Sequence, residues 1–199
     1  MELYKAQKEK TDIDFKLKVI LAGQMSIGKT IFINRLRCNI NNYNEFQKIP
    51  TNYIETVGVD FLFRFIKFKN KVFNLQIWDL AGTERFKSIA SSYFRGFNVA
   101  LIFFDAWERS SFQRAKNIVI ELFDRKNNTS KDAIIILIRS KYGNSGNNKN
   151  NENYVSEEEA LEFADKNKLL FAHISCFQKY ETGIEELLSL ILHKFYKDN

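Results

Sequence analysis

Residues 23–30 read Gly-Gln-Met-Ser-Ile-Gly-Lys-Thr, and this stretch decides the fold. An apolar run at 15–22 precedes it, and a helical pattern of apolar residues at 30–37 follows it. Strand, glycine-bounded loop and helix in this order are the context in which the spacing G-x-x-x-x-G-K-[ST] binds phosphate. Backbone N–H groups of such a loop and of the helix start can surround an anion. The phosphate-binding residues that the motif predicts are Gly23, Gln24, Met25, Ser26, Ile27, Gly28, Lys29 and Thr30.

Two side chains of this loop have separate expected roles. Lys29 brings a positive charge to the β- and γ-phosphates, and the Thr30 hydroxyl ligates Mg²⁺. The alternative is a glycine-rich turn that binds nothing. The strand before the loop and the helix after it argue against that alternative.

The overall composition indicates one domain. The chain has 199 residues, of which 45% are hydrophobic and 15% aromatic, which is enough for a sizeable core. Its net charge of +6 is not gathered into a basic cluster, so we expect no nucleic-acid partner. The cysteines Cys38 and Cys176 have no metal-binding spacing and are expected to be reduced thiols of a cytoplasmic protein. No apolar run reaches the roughly 18 residues of a membrane-spanning helix.

Strand-like and helical patterns alternate along the chain. Strands are predicted at about 15–22, 59–68, 71–79, 98–104, 133–138 and 169–174, and helices at about 29–37, 88–95, 111–124, 156–167 and 182–196. This alternation predicts an α/β fold of the P-loop NTPase type, a doubly wound, mostly parallel, six-stranded sheet with helices on both faces. We assign residues 1–14 to an N-terminal extension and residues 15–199 to one domain, with a polar, Asn-rich loop at about 142–153.

A second group of residues follows the loop at spacings that suit a nucleotide switch. Asp79 ends an apolar strand, where its carboxylate can hold Mg²⁺, and Gly82 can offer its N–H to a γ-phosphate. Thr56, between the two motifs, can supply a second hydroxyl to the metal. Either loop alone could be an ordinary turn, but their order behind a phosphate loop favours a switch. A small kinase with the same loop is the less favoured alternative.

The chain resembles the Ras superfamily and, within it, the Rab family. The resemblance is carried by residues 56–61, 75–79, 85–96 and 101–105, which read TVGVDF, LQIWD, RFKSIASSYFRG and LIFFD. It implies that residues 15–199 form a small GTPase domain that binds GTP or GDP with Mg²⁺. It also implies a switch in vesicle-mediated protein transport, whose partners are effector, exchange-factor and GTPase-activating proteins.

The resemblance further assigns roles to individual residues. Thr30, Thr56 and Asp79 would hold the metal, and the phosphate loop and Gly82 would hold the phosphates. The aromatic residues that Rab proteins present to effectors would be Phe61, Trp78 and Tyr93. An alternative for these three is that they are core aromatics on neighbouring elements.

Two residues near the expected hydrolysis centre depart from the family pattern. Rab proteins carry Gln directly after the Asp-x-x-Gly glycine, and this chain carries Thr83. That Gln orients the attacking water, and a Thr hydroxyl cannot offer both an amide donor and an amide acceptor. Met25 stands where relatives have Gly or another small residue, and its side chain would crowd the space of the water. Lys29 and Thr83 stay the expected catalytic residues, and we expect GTP hydrolysis to be slow or lost.

The base-reading motif is altered as well. The family pattern Asn-Lys-x-Asp should follow the strand at 133–138, and by position Ser140 replaces the Asn, Lys141 is kept and Gly143 replaces the Asp. The Asp would accept two hydrogen bonds from guanine, each worth about 1.5–3 kcal/mol, so we expect weakened guanine specificity. The usual Ser-Ala-Lys loop begins here with Ser175 and Cys176, whose main chain can still contact the base.

The C-terminal segment and the departures leave open a second class of function. The sequence stops just after the last helical pattern and has no terminal cysteine for prenylation. We therefore expect peripheral contact with vesicle or endomembrane surfaces only through partners or through a tail outside this sequence. The alternative function is a pseudo-GTPase, an interaction module that does not hydrolyse GTP. In either case we expect a monomer.

Overall fold

The computed structural model describes residues 2–4, 12–38, 59–80, 94–124, 133–140, 152–175 and 183–198. Several predicted features lie outside these residues: Thr56, Gly82, Thr83, Tyr93, Lys141, Gly143, Cys176, most of the helix at 88–95 and most of the loop at 142–153. Their predicted roles stay predictions.

Seven strands and four helices make up the described part of the chain. In chain order they are β1 (Glu2–Tyr4), β2 (Phe15–Ala22), α1 (Lys29–Arg37), β3 (Val59–Phe68), β4 (Lys71–Leu80), β5 (Val99–Asp105), α2 (Arg109–Asp124), β6 (Ile134–Ser140), α3 (Glu157–Lys166), β7 (Leu170–Ile174) and α4 (Ile184–Asp198). The six predicted strands are all present with ends within two residues of the prediction, and the same holds for these four helices.

All seven strands belong to one sheet in the order β1-β3-β4-β2-β5-β6-β7. The five strands from β4 to β7 in this order run parallel, and β3 pairs antiparallel with β4 through the turn at Lys69 and Asn70. This confirms the predicted α/β class and its mostly parallel sheet. The sheet has seven strands rather than six because β1 adds to the free edge of β3, with Glu2 opposite Lys67. A three-residue strand is too short to show a periodic pattern in the sequence.

Helices cover both faces of the sheet because the strand residues alternate between two apolar cores. In β2, Leu17, Val19 and Leu21 face the core that includes α1 and α4. Ile20 and Ala22 of the same strand face the core that includes α2 and α3. All seven residues of β5 are buried, as expected for a central parallel strand covered on both sides.

The parallel arrangement sets the place of a site. The carboxyl ends of β2, β4, β5, β6 and β7 meet at one edge of the sheet, with Leu21 opposite Asp79 and Asp105 opposite Ser140. Ligands of open α/β sheets bind outside this edge. The phosphate loop that follows β2 therefore lies at the same edge as the ends of these strands and next to those of β4 and β5.

Candidate nucleotide site

The phosphate loop leaves β2 through a glycine that no other residue could replace without strain. Gly23 has a φ of 138°, which L side chains rarely adopt. A Cβ at this position would lie 2.5 Å from the carbonyl oxygen of Phe103 in β5 and 2.6 Å from Cδ1 of Ile27. The first glycine of the motif thus lets the loop pass directly over the neighbouring strand.

The loop ends at the start of α1. Gly28 is the N-cap residue in a left-handed conformation, and its carbonyl accepts the first helical hydrogen bond from the N–H of Phe32 at 2.9 Å. No acidic side chain occupies the first turn of this helix. The positive end of the helix dipole is thereby left facing the loop, where it favours an anion.

Lys29 is folded back onto the loop. Its side chain is buried, and Nζ donates hydrogen bonds to the carbonyl oxygens of Gly23 at 3.0 Å and Gln24 at 2.6 Å. The loop backbone therefore fixes the position of the ammonium group. A point charge held in this way is suited to phosphate oxygens.

Thr30 and Asp79 meet beneath the loop. The Thr30 hydroxyl donates to Oδ2 of Asp79 at 2.8 Å, and Asp79 is completely buried at the end of β4. The sequence places these residues 49 positions apart, and the parallel pairing of β2 with β4 brings them together. A hydroxyl and a carboxylate are the oxygen ligands that Mg²⁺ prefers, so these two residues fit the predicted metal site. The third predicted ligand, Thr56, lies outside the described residues.

The predicted base-reading residues Ser140 and Ser175 stand on adjacent parallel strands, Ser140 at the end of β6 and Ser175 just after β7. Both are buried. Oγ of Ser140 lies 3.0 Å from the carbonyl oxygens of Ile27 and of Phe104, so that its single proton is shared between them. Ser140 thus connects β6 to the phosphate loop, a contact that its position in the altered motif did not reveal.

A cleft separates the phosphate loop from α2, and no motif or periodicity predicts it. Its volume is about 670 Å³, and it is lined by Gln24, Met25, Ser26, Glu108, Ser110 and Arg114, among others. Gln24 Nε2 donates to Oε1 of Glu108 at 2.5 Å, and the Ser110 hydroxyl donates to the same oxygen at 2.9 Å. Met25 is half-buried at this cleft.

One buried carboxylate lies close to the site without being part of the predicted set. Asp105, at the end of β5, is buried, and this burial raises the pKa of its carboxyl group. Oδ1 accepts the N–H of Trp107 at 2.9 Å, which partly offsets the effect of burial on the pKa.

Two of the three predicted effector-facing aromatics are described, and they touch. The ring centroids of Phe61 and Trp78 are 4.4 Å apart, with both residues half-buried. Phe63, two residues along β3, packs on Phe61 at 4.4 Å and is 53% exposed. Sequence reasoning missed Phe63, although its two-residue spacing from Phe61 places it on the same face of the strand.

Among the residues that the structure describes, no helix is both long and apolar enough to cross a bilayer.

Comparison with known proteins identifies the family of this chain. A sequence model of the Ras family matches residues 18–197. The chain is 32% identical over 184 residues to "Ras-related protein Rab11A" of Lotus japonicus, an alignment that covers 92% of this chain and 74% of that protein. It is 31% identical over 176 residues to "GTP-binding protein YPT1" of Saccharomyces cerevisiae, covering 88% and 77% of the two chains. It is 29% identical over 184 residues to "Ras-related protein Rab-11A" of Dictyostelium discoideum, covering 92% and 78%.

The fold, the phosphate loop and these matches define a small P-loop GTPase. The chain belongs to the Ras family, and its relatives are Rab proteins. By family resemblance it is a GTP hydrolase.

Proposed function

We propose that this protein is a Rab-type switch that binds GTP and GDP with Mg²⁺ and hydrolyses GTP slowly. The observation that carries the proposal is the 2.8 Å contact between Thr30 and Asp79 beneath a loop whose Lys29 is fixed by two carbonyl oxygens. A bound Mg²⁺ would neutralise charge on the phosphates, with Thr30 and Asp79 holding it directly or through water. Lys29 and the loop N–H groups would bind the phosphates themselves.

The proposal of slow hydrolysis rests on the residues at two positions, 25 and 83. Met25 is half-buried at the edge of the phosphate loop, and Thr83 takes the place of the water-orienting Gln. Phosphoryl transfer in this class depends on positioning and electrostatic stabilisation, so a displaced water lowers the rate without affecting nucleotide binding. A GTPase-activating partner that brings its own group would restore the rate.

The partners and location follow from the same resemblance. Effector proteins would contact Phe61 and Trp78, with Tyr93 as the third aromatic, and exchange factors would release GDP. We propose a role in vesicle-mediated transport, with a cytoplasmic monomer that reaches endomembranes through partners or through a tail outside this sequence.

The nucleotide that co-purifies with the protein tests the binding proposal. The protein is denatured, and the released nucleotide is identified by chromatography, with Lys29→Ala purified in parallel. Stoichiometric GDP or GTP from the parent and none from the variant is the expected result. A parent that carries no nucleotide and does not bind added GTP with Mg²⁺ would favour the pseudo-GTPase instead.

Single-turnover phosphate release tests the hydrolysis proposal. Thr83→Gln is expected to help only modestly, because Met25 still crowds the same space. Thr83→Gln with Met25→Gly should raise the rate by more than the two single changes together, since residues that share one site are not additive. Fast release by the parent, or additive effects, would contradict this account.

A further inference from the structure

The residue before Ser140 is an arginine whose side chain leaves the opposite face of β6. Ser140 points toward the phosphate loop, whereas Arg139 points toward the side of α2 and α3, since consecutive strand residues alternate between faces. Arg139 is 5% exposed. A buried guanidinium at the end of a central strand needs a reason, because burying a charge is costly unless it is well paired.

The contacts of Arg139 join three segments. Nη1 lies 3.3 Å from Nδ1 of His173, which is its direct partner across the β6–β7 pair. Nη2 donates to the hydroxyl of Tyr154 at 3.0 Å. Oε2 of Glu157, at the start of α3, is 3.7 Å from Nη1. Because arginine only donates, Nδ1 of His173 must be the acceptor.

Tyr154 is itself firmly held, so it can serve as an anchor. Its ring packs on Trp107 with centroids 4.7 Å apart. Its carbonyl oxygen accepts from Nη2 of Arg109 at 2.7 Å, and the next residue, Val155, donates its N–H to the carbonyl of Ala106 at 2.8 Å. The segment around Tyr154 is therefore attached to the loop between β5 and α2.

We propose that Arg139 is a positioning residue for the nucleotide base. It ties the end of β6 to the end of β7 and to Tyr154, and thereby fixes the backbone that carries Ser140 and Ser175. This inference rests on the proposed nucleotide-binding function and deepens it. Gly143 stands where the family motif has the Asp that accepts hydrogen bonds from guanine. Binding of the base therefore depends more on the exact position of the main chain at the ends of β6 and β7.

The energetics of Arg139 agree with a positioning role rather than a purely stabilising one. Its Nε is buried and has no hydrogen-bond partner among the residues that the structure describes. An apolar side chain of similar volume would avoid this loss and often stabilises a protein more than a buried ion pair does. What only the guanidinium supplies is a planar set of donors that fixes two partners in one geometry.

The experiment compares two ligands, one with a base and one without. Dissociation of fluorescently labelled GDP and binding of inorganic tripolyphosphate, both with Mg²⁺, are measured for the parent, Arg139→Met and Arg139→Lys. We expect Arg139→Met to release GDP roughly tenfold faster, the effect of one lost charged hydrogen bond. Its tripolyphosphate affinity should fall clearly less, to within about twofold of the parent, because Arg139 bonds to Tyr154 and His173. The bonds of Lys29 to the loop carbonyl oxygens are left unchanged by the substitution. Arg139→Lys should recover only part of the loss, since lysine lacks the planar fork.

Tyr154→Phe and Arg64→Met complete the design. Tyr154→Phe removes only the hydroxyl that accepts from Arg139, and it should also accelerate GDP release. This variant keeps the inference testable if Arg139→Met does not fold. Arg64 in β3 is equally buried, at 5% exposure, and is the matched control. Arg64→Met should therefore not accelerate GDP release relative to any change in tripolyphosphate affinity.

The possible outcomes distinguish a failure of this inference from a failure of the proposed nucleotide-binding function. If the Arg139 variants weaken GDP binding and tripolyphosphate binding equally, or leave GDP release unchanged, Arg139 is merely structural. The same ligand-selective loss in Arg64→Met would also overturn the inference. A parent that binds tripolyphosphate but not GDP would instead overturn the proposed function, and the positioning role with it.

Discussion

The two ends of the nucleotide site are built from different kinds of group. At the phosphate end, the sharp turn at Gly23, the fixed charge of Lys29 and the pair formed by Thr30 and Asp79 are all in place. At the base end, Ser140 stands where the motif has Asn, and its hydroxyl contacts protein carbonyls. We therefore expect phosphate recognition to depend on backbone geometry and charge, and base recognition to depend on a few separate hydrogen bonds at the ends of β6 and β7.

This difference explains why one end can change while the other stays intact. A single substitution at the phosphate end would remove a turn, a charge or a proposed metal ligand on which we expect all binding to depend. A substitution at the base end removes one or two hydrogen bonds and leaves the remaining contacts in place. We therefore expect changes at the phosphate end to abolish binding and changes at the base end to alter selectivity.

The largest expected effect is that of Lys29→Ala. The ammonium group is held over the loop by the carbonyl oxygens of Gly23 and Gln24. Its removal should weaken GTP binding by at least about a hundredfold, as expected for the loss of a charge at a phosphate site. Titration with a fluorescent GTP analogue measures the change.

Lys71→Ala is the matched control for that experiment. Lys71 is the first residue of β4, at the opposite end of that strand from Asp79, and forms an ion pair with Asp14 at 2.8 Å. The variant should bind GTP as the parent does. Similar losses in both variants would mean that Lys29 matters only for stability.

The next severe effect, on stability rather than on nucleotide binding, is expected from Gly23→Ala. The added methyl group would meet the carbonyl oxygen of Phe103 at 2.5 Å in a backbone conformation that alanine rarely adopts. Overpacking together with strain should lower the free energy of unfolding by about 3 kcal/mol or more.

Gly96→Ala separates these two causes. Gly96 also has a positive φ, of 67°, but no described atom beyond its two chain neighbours lies within 4 Å of the position that its Cβ would take. Only the backbone strain of about 1–2 kcal/mol should remain. Urea unfolding of the three proteins gives both values, and equal losses in the two variants would contradict the close approach to β5.

Part of the fold and of the phosphate end could be predicted from the sequence. The strands and the phosphate loop could be predicted because Leu17, Val19 and Leu21 alternate with residues of the other face, and because the loop motif has a fixed spacing. Thr30 and Asp79 could be assigned to one metal site because the loop motif specifies the hydroxyl and because Asp79 stands at the end of an apolar strand. These features depend on periodicity and chain direction, which a sequence displays directly.

The features that sequence reasoning missed depend on contacts between distant residues. β1 is defined by its pairing with β3, and three residues carry no period of their own. The bond of Ser140 to Ile27 spans 113 positions, and the contact of Arg139 with His173 spans 34. Neither residue pair has a spacing motif, so only the assembled sheet reveals it.

A moderate change in selectivity is expected from Gly143→Asp combined with Ser140→Asn. The restored carboxylate should accept hydrogen bonds from guanine, and inosine lacks one of the two donors. The preference for GTP over ITP should therefore rise by roughly tenfold, the value of one charged hydrogen bond. Competition binding of the two nucleotides measures it. Gly143→Asn with Ser140→Asn has the same shape without the charge and should gain clearly less; an equal gain would exclude the charge as its cause.

The smallest expected effect concerns Asp105, whose buried carboxyl group lies between the two ends of the site. Burial raises the pKa of Asp105 in the folded protein, so the folded chain binds this proton more tightly than the unfolded chain does. Stability is therefore lost as the pH rises from the ordinary pKa of the carboxyl group through the raised one. Asp105→Asn stays neutral, and its side-chain oxygen can still accept the N–H of Trp107. The variant should melt at a higher temperature than the parent at pH 7, with the difference vanishing at a pH below the ordinary pKa of aspartate. A variant that is less stable than the parent at pH 7 would show that the ionised carboxylate makes a favourable contact which outweighs its burial.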